Sequence, residues 1–253
     1  MNNYEKLEGM VAATFTPLDE NGDVNLSVID KYADWIASTP IKGVFVCGTT
    51  GEFSSLTIDE RKLILEKWLV SARKRFKVIA HVGSNCQRSA MELARHAAQV
   101  GADAIASIAP SFFKPGTVDE LVDFFAPICH SAAGLPFYYY NMPSITGVNL
   151  PVDKFLVEGK KKIPNLVGTK FTHNNLMEMG VCIELEQHRF EVLHGYDEIL
   201  ISGLAMGAVA GVGSTYNYIP NVYQAIFDSM KMNDLETARH NQIKSIRTVE
   251  VII

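Results

Sequence analysis

The sequence has 253 residues, of which 47% are apolar and 20% charged, and its formal net charge is −5. That balance is ordinary for a soluble globular protein with a full core, and it excludes the basic footprint of a nucleic-acid-binding domain. Residues 1–10 are polar and carry no secretory h-region, and no stretch approaches the roughly 18 apolar residues of a membrane span, so neither export nor a membrane partner is expected.

Along the chain, a short apolar, β-prone run repeatedly gives way to Gly, Ser, Thr or Pro and then to an amphipathic segment of helical length. A strand at 10–15 precedes a helix at 25–38. A strand at 43–47 precedes a helix at 57–74, which opens on Thr57-Ile58-Asp59-Glu60, a capping-box pattern. The strand at 77–82 leads to a helix at 87–100, and the one at 104–108 to a helix at 117–132. Strand 135–140 leads to a short helix at 152–158, and strand 166–171 to a helix at 175–186. Strand 190–193 precedes helix 198–206, and strand 208–212 precedes helix 221–232. Strands buried on both faces read as continuous apolar runs, as these do. Eight such units in one uninterrupted chain predict an α/β fold, a (β/α)8 TIM barrel over residues 1–232, with an open doubly wound sheet as the alternative.

One more helix, 235–253, follows, so residues 233–253 read as the first part of a C-terminal helical extension. Its end at 249–253 is apolar, without a cap or polar tail, as in a chain cut short whose exposed face needs a partner. The cysteines Cys47, Cys86, Cys129 and Cys182 are widely spaced and form no CxxC pair. Reduced thiols in a cytoplasmic protein are the expectation.

Barrel active sites lie where strands end, so the polar residues there carry the functional reading. Lys170 closes the apolar run Leu166-Val167-Gly168-Thr169-Lys170-Phe171. Burial there disfavours the charged form and makes available the neutral amine that a Schiff-base nucleophile needs. The alternative is a lysine that snorkels to the mouth or pairs with a carboxylate. Tyr140 ends the preceding run, and alternation puts Tyr138 and Tyr140 on one face and Tyr139 on the other. A phenol beside an amine can move protons, whereas Tyr138 and Tyr139 read as packing residues. Gly48-Thr49-Thr50-Gly51-Glu52 joins two hydroxyls to free amides and suits a carboxylate, although such a turn alone is more often a plain connection. His194-Gly195-Tyr196-Asp197-Glu198 suits sugar hydroxyls or a helix N-terminus, and Gly211-Val212-Gly213-Ser214-Thr215 suits a phosphate or a hydroxyl. The seven histidines show neither HxH nor HExxH spacing, so a zinc-dependent aldolase finds no support.

In their order, GTTGE, YNxP, GxK-F, GxDE and GSTYN resemble the dihydrodipicolinate synthase/N-acetylneuraminate lyase family over about residues 7–250. The resemblance implies that Lys170 forms a Schiff base with a 2-keto acid, that Tyr140 handles the proton, and that Thr49 and Thr50 hold the carboxylate. Within the family the chain looks like the lyase branch. Ile145 stands where synthases carry an arginine for a second carboxylate, and Phe112-Phe113 stand where synthases place a tyrosine that crosses a subunit interface. Thr172, Gly195, Asp197, Glu198 and Ser214 match the lyases' contacts to the polyhydroxyl tail of sialic acid. The resemblance therefore implies retro-aldol cleavage of a sialic acid to N-acetylmannosamine and pyruvate, with no metal, no organic cofactor and a homotetrameric assembly. Another pyruvate-dependent aldolase, a synthase or a non-catalytic sugar-acid sensor are the alternatives.

Overall fold

The computed structural model describes residues 4–252; residues 1–3 and Ile253, which bound the expected barrel domain and helical extension, lie outside the described residues. Eight parallel strands close on themselves in sequence order: β1 (Gly9–Ala13), β2 (Gly43–Val46), β3 (Lys77–His81), β4 (Ala104–Ile108), β5 (Phe137–Asn141), β6 (Leu166–Phe171), β7 (Glu191–His194) and β8 (Ala210–Gly213). The ring is completed by β8 against β1, with Val212 opposite Val11. This is the expected TIM barrel, and closure rules out the open sheet.

The helices that wrap it are α1 (Ile29–Ala37), α2 (Ile58–Ala72), α3 (Gln87–Val100), α4 (Val118–His130), the single turn α5 (Pro143–Thr146), α6 (Val152–Lys162), α7 (Leu176–Glu184), α8 (Leu200–Ala205), α9 (Pro220–Lys231) and α10 (Leu235–Ile252). Their ends follow local chemistry. The capping box of α2 forms, with Thr57 Oγ1 accepting the Glu60 N–H and the Glu60 carboxylate accepting the Thr57 N–H. Helix α3 stops at Gly101, whose φ of +84° L side chains rarely adopt.

Several boundaries shift from the sequence reading, and three differences have a local cause. Strand β5 begins after Pro136 rather than at residue 135, because proline has no N–H to give the ladder. Helix α6 runs through Gly159 to Lys162 instead of stopping at 158. Gly159 sits in the helix interior because β6 passes close beneath it; a Cβ there would lie 2.9 Å from the Leu166 side chain. The turn α5 was not expected; Pro143 supplies its start.

The core has two shells. Inside the barrel lie Val11, Ala13, Phe45, Ile79, Ala106, Tyr138, Tyr140, Leu193 and Val212. Between sheet and helices lies a larger shell that contains Tyr139, packed on Phe155 and Phe125 at ring-centroid distances of 4.6 and 5.5 Å. The expected alternation of the three tyrosines therefore holds. Helix α10 packs along α9 and buries Ala238, Asn241, Gln242 and Ser245. No helix among the described residues is long and apolar enough to cross a membrane.

Candidate active site

Lys170 and Tyr140 face each other. They are register partners on β6 and β5, both point into the barrel near the C-terminal strand ends, and they are 4% and 2% exposed. Lys170 Nζ lies 4.0 Å from the centre of the Tyr140 ring and 4.4 Å from that of Phe45 on β2. The amine thus rests on two aromatic faces. Of the two readings open for Lys170, pairing with a carboxylate is not what the fold provides: no acid among the described residues forms an ion pair with it.

The Tyr140 hydroxyl reaches the turn after β2, with its oxygen 3.2 Å from Thr49 Oγ1. It also donates to Met142 Sδ at 3.0 Å. The turn is tightly built. Cys47 and Glu52, at its two ends, take left-handed conformations with φ of 54° and 55°. These positions cost non-glycine residues roughly 1–2 kcal/mol each and so need support from around them. Thr16 Oγ1 donates to Gly51 O at 2.7 Å, and Glu52 N–H to Thr49 O at 3.0 Å. His81 Nδ1 lies 2.8 Å from Cys47 O, while Nε2 lies 3.3 Å from the Ile108 amide. A carbonyl only accepts and an amide only donates, so His81 is the neutral tautomer with its proton on Nδ1. Burial, aided by the charge of Arg61, pushes its pKa well below the usual histidine value, which agrees. Thr49 and Thr50 project from this turn, exposed and half-buried respectively.

The other expected site residues gather on the β6–β8 side of the mouth. Thr172 follows β6, is 4% exposed, and its Oγ1 has no hydrogen-bond partner among the described residues. Gly195 lies against it so closely that any side chain at 195 would collide with Thr172 Oγ1. Asp197 is 5% exposed; its Oδ2 accepts the Thr215 amide at 2.8 Å and the Thr215 hydroxyl at 2.7 Å. Its Oδ1 lies against Gly213, where a Cβ would displace it. Burial pushes the Asp197 carboxyl up to about 6, while the two Thr215 bonds and the charge of Lys170 oppose that shift. Glu198, next in the same turn, is half-buried and makes no hydrogen bond to a described residue. Ser214 is half-buried, and its carbonyl accepts both the Asn217 backbone N–H and Nδ2.

Two clusters therefore share one mouth, with Thr49, Tyr140 and Lys170 on one side and Thr172, Gly195, Asp197, Glu198 and Ser214 on the other. Phe45, His81 and Met142 support the first cluster and were not singled out from the sequence. Apolar and histidine residues inside strands carry no local signal; only the register of the closed barrel brings them to Lys170. Among the described residues, no three His, Cys, Asp or Glu side chains are arranged to hold a metal ion.

Residues 6–253 match the Dihydrodipicolinate synthetase family. The chain is 42% identical over 252 residues to the N-acetylneuraminate lyase of Mus musculus, an alignment covering 98% of this chain and 79% of that protein. The solved N-acetylneuraminate lyase (sialic acid aldolase) of Aliivibrio salmonicida superposes with a TM-score of 0.96 at 38% identity, covering 98% of this chain and 82% of that one. A sialic acid aldolase of Ruminococcus gnavus, solved as its catalytic lysine mutant, superposes with a TM-score of 0.91 at 28% identity, covering 96% and 79%.

Proposed function

Because the chain belongs to the dihydrodipicolinate synthetase family, we propose that it is a carbon–carbon lyase that cleaves N-acetylneuraminate to N-acetylmannosamine and pyruvate. The observation that carries the chemistry is Lys170 Nζ over the face of Tyr140 on a paired strand, beside the Thr49 turn. A lysine is the catalytic group in the Ruminococcus gnavus relative, which supports the same role for Lys170.

The open-chain sugar acid binds with its carboxylate on the amides and hydroxyls of Thr49 and Thr50. The Lys170 amine adds to the C2 ketone, and loss of water leaves an iminium that serves as an electron sink. Tyr140, with the substrate carboxylate as relay, takes the proton of the C4 hydroxyl. The C3–C4 electron pair moves into the iminium, C4 leaves as the aldehyde of N-acetylmannosamine, and an enamine of pyruvate remains. Protonation at C3 and hydrolysis release pyruvate and restore the amine. Thr172, Glu198, Ser214 and the Gly195–Asp197 turn bind the hydroxylated tail. The unpartnered Thr172 Oγ1 supports this, because a buried hydroxyl without a partner is costly until a ligand supplies one.

Ile145 supports the lyase over the synthase reading. It is 59% exposed on α5 and offers no charge to a second carboxylate. Phe112 and Phe113, stacked edge to face and 76% and 87% exposed, support burial in a homotetramer of the kind the resemblance implies. The four free cysteines support a reducing, cytoplasmic setting. The activity is tested by following pyruvate release from N-acetylneuraminate. Turnover with equimolar N-acetylmannosamine supports the reading, and no release from a folded tetramer overturns it.

A further inference from the structure

Helix α10 packs against the Asp197–Ile199 turn and α8, and one of its side chains, Gln242, hydrogen-bonds to both. Gln242 is 4% exposed and lies far from Lys170 in sequence. Its Oε1 accepts the backbone N–H of Ile201 at 2.8 Å, and its Nε2 donates to the carbonyl of Asp197 at 3.0 Å. The same Nε2 donates to Ser245 Oγ at 2.6 Å, and the Ser245 hydroxyl donates back to the Gln242 carbonyl at 2.8 Å. Both amide protons and the amide oxygen are thus engaged, which fixes the side chain's orientation.

The two backbone groups that Gln242 holds are the ends of one short segment. Asp197 begins a 3-10 turn over Asp197–Ile199, and Ile201 lies in the first turn of α8. The first amides of a helix have no partner within it, and α8 has no side-chain cap of its own. Gln242 supplies from outside what the segment lacks. Between its two contacts lies Glu198, whose carboxylate no described residue holds. The Asp197 side chain is fixed separately by Thr215. The direction of Glu198 therefore depends on the backbone of the turn, and the turn depends on α10.

We propose that Gln242 is a positioning residue for the sugar tail: by clipping Asp197 to Ile201 it sets the aim of Glu198, and with it the affinity for the polyhydroxyl end of the substrate, without touching the keto-acid chemistry at Lys170. The inference rests on the lyase reading and specifies how that site selects its long substrate. Aldehyde-tail recognition is then a property of a helix outside the barrel.

The test uses Gln242→Met, of similar length and without hydrogen-bonding groups, and Gln242→Glu, which keeps the acceptor but loses the donor toward the Asp197 carbonyl. For each, KM and kcat with N-acetylneuraminate, the rate of borohydride trapping with pyruvate alone, and Tm are measured. The expected result is a KM raised about tenfold with kcat within about threefold, and an unchanged trapping rate. Replacing Glu198 by Ala should cost less in the Gln242→Met background than in the native one, since both act through one turn. An unchanged KM in either folded variant overturns the proposal. So does a loss of trapping in step with the loss of sugar binding, because that is the mark of a merely structural residue. Absence of trapping in the unaltered protein instead overturns the lyase reading itself.

Discussion

Tyr138 and Tyr140 leave the same strand on the same face, two residues apart, and the barrel uses them in opposite ways. Near the N-terminal end, Tyr138 donates to Glu191 Oε2 at 3.1 Å, and the Leu7 amide donates to the same oxygen at 2.9 Å. Burial and that carboxylate raise the Tyr138 phenol far above its usual range, so it stays protonated as a fixed donor. Near the C-terminal end, Tyr140 has a thioether and a threonine hydroxyl as neighbours and a lysine over its ring. None of these locks it. One end of the barrel is closed around a carboxylate whose Oε2 takes two donors, and the other keeps its polar groups available. Chemistry needs the second arrangement and stability the first.

Breaking each pair should separate the two roles. The largest effect is expected from Lys170→Met, which removes the proposed nucleophile and should lower turnover by more than about 10^4-fold with the fold intact by circular dichroism. Tyr140→Phe should lower kcat by about 10^2- to 10^3-fold with little change in sugar binding. An effect mainly on KM would reduce Tyr140 to a group that orients substrate. Tyr138→Phe, the same deletion two residues earlier, should leave kcat per folded molecule unchanged. It should lower unfolding free energy in urea by on the order of 1–2 kcal/mol, because the buried Glu191 loses a donor. If Tyr138→Phe instead damaged turnover, the division between the two ends would fail.

Two buried histidines extend the contrast and give the smallest effect. His81 has both ring nitrogens engaged, whereas those of His194 make no well-formed hydrogen bond to a described residue, and burial, opposed by the nearby Tyr196 and Ile199 backbone, pushes its pKa down to about 4. A depressed histidine is neutral in the fold and charged in the unfolded chain between the two pKa values. Its contribution to stability is therefore present above about 6.5 and lost as pH falls toward 4. Asp197, raised to about 6, acts in the opposite sense and gains stability over the fall from 6 to about 3.8. His194→Leu should remove on the order of 1 kcal/mol of the stability lost between pH 7 and 5. Parallel urea midpoints for both proteins at those two pH values would show it, and an unchanged difference would mean that His194 does not titrate in this window.

Much of the fold was legible because strands buried on both faces and amphipathic helices have different periods, and eight alternations leave few topologies. The boundaries of α3, β4 and β6 agree with the reading to the residue. The misses have local causes. The expected helix stopped at 158, whereas Gly159 continues it and is a site of close approach to β6, which no window of sequence can display. The clustering of the candidate site was legible where it lies at strand ends, as Lys170, Tyr140 and the Thr49 turn do. It was not legible where partners come from distant strands or helices. Phe45 under the amine, the Glu191 bond that separates Tyr138 from Tyr140, and Gln242 behind Glu198 all depend on register and packing.

The central claim is that Lys170 is the amine that bonds to a 2-keto acid. It is tested most directly by incubating the protein with pyruvate and borohydride and mapping the product by mass spectrometry. The account predicts one reduced pyruvate adduct, on the peptide containing Lys170, that is absent from Lys170→Met. A folded protein that yields no adduct, or an adduct on another lysine, would contradict it.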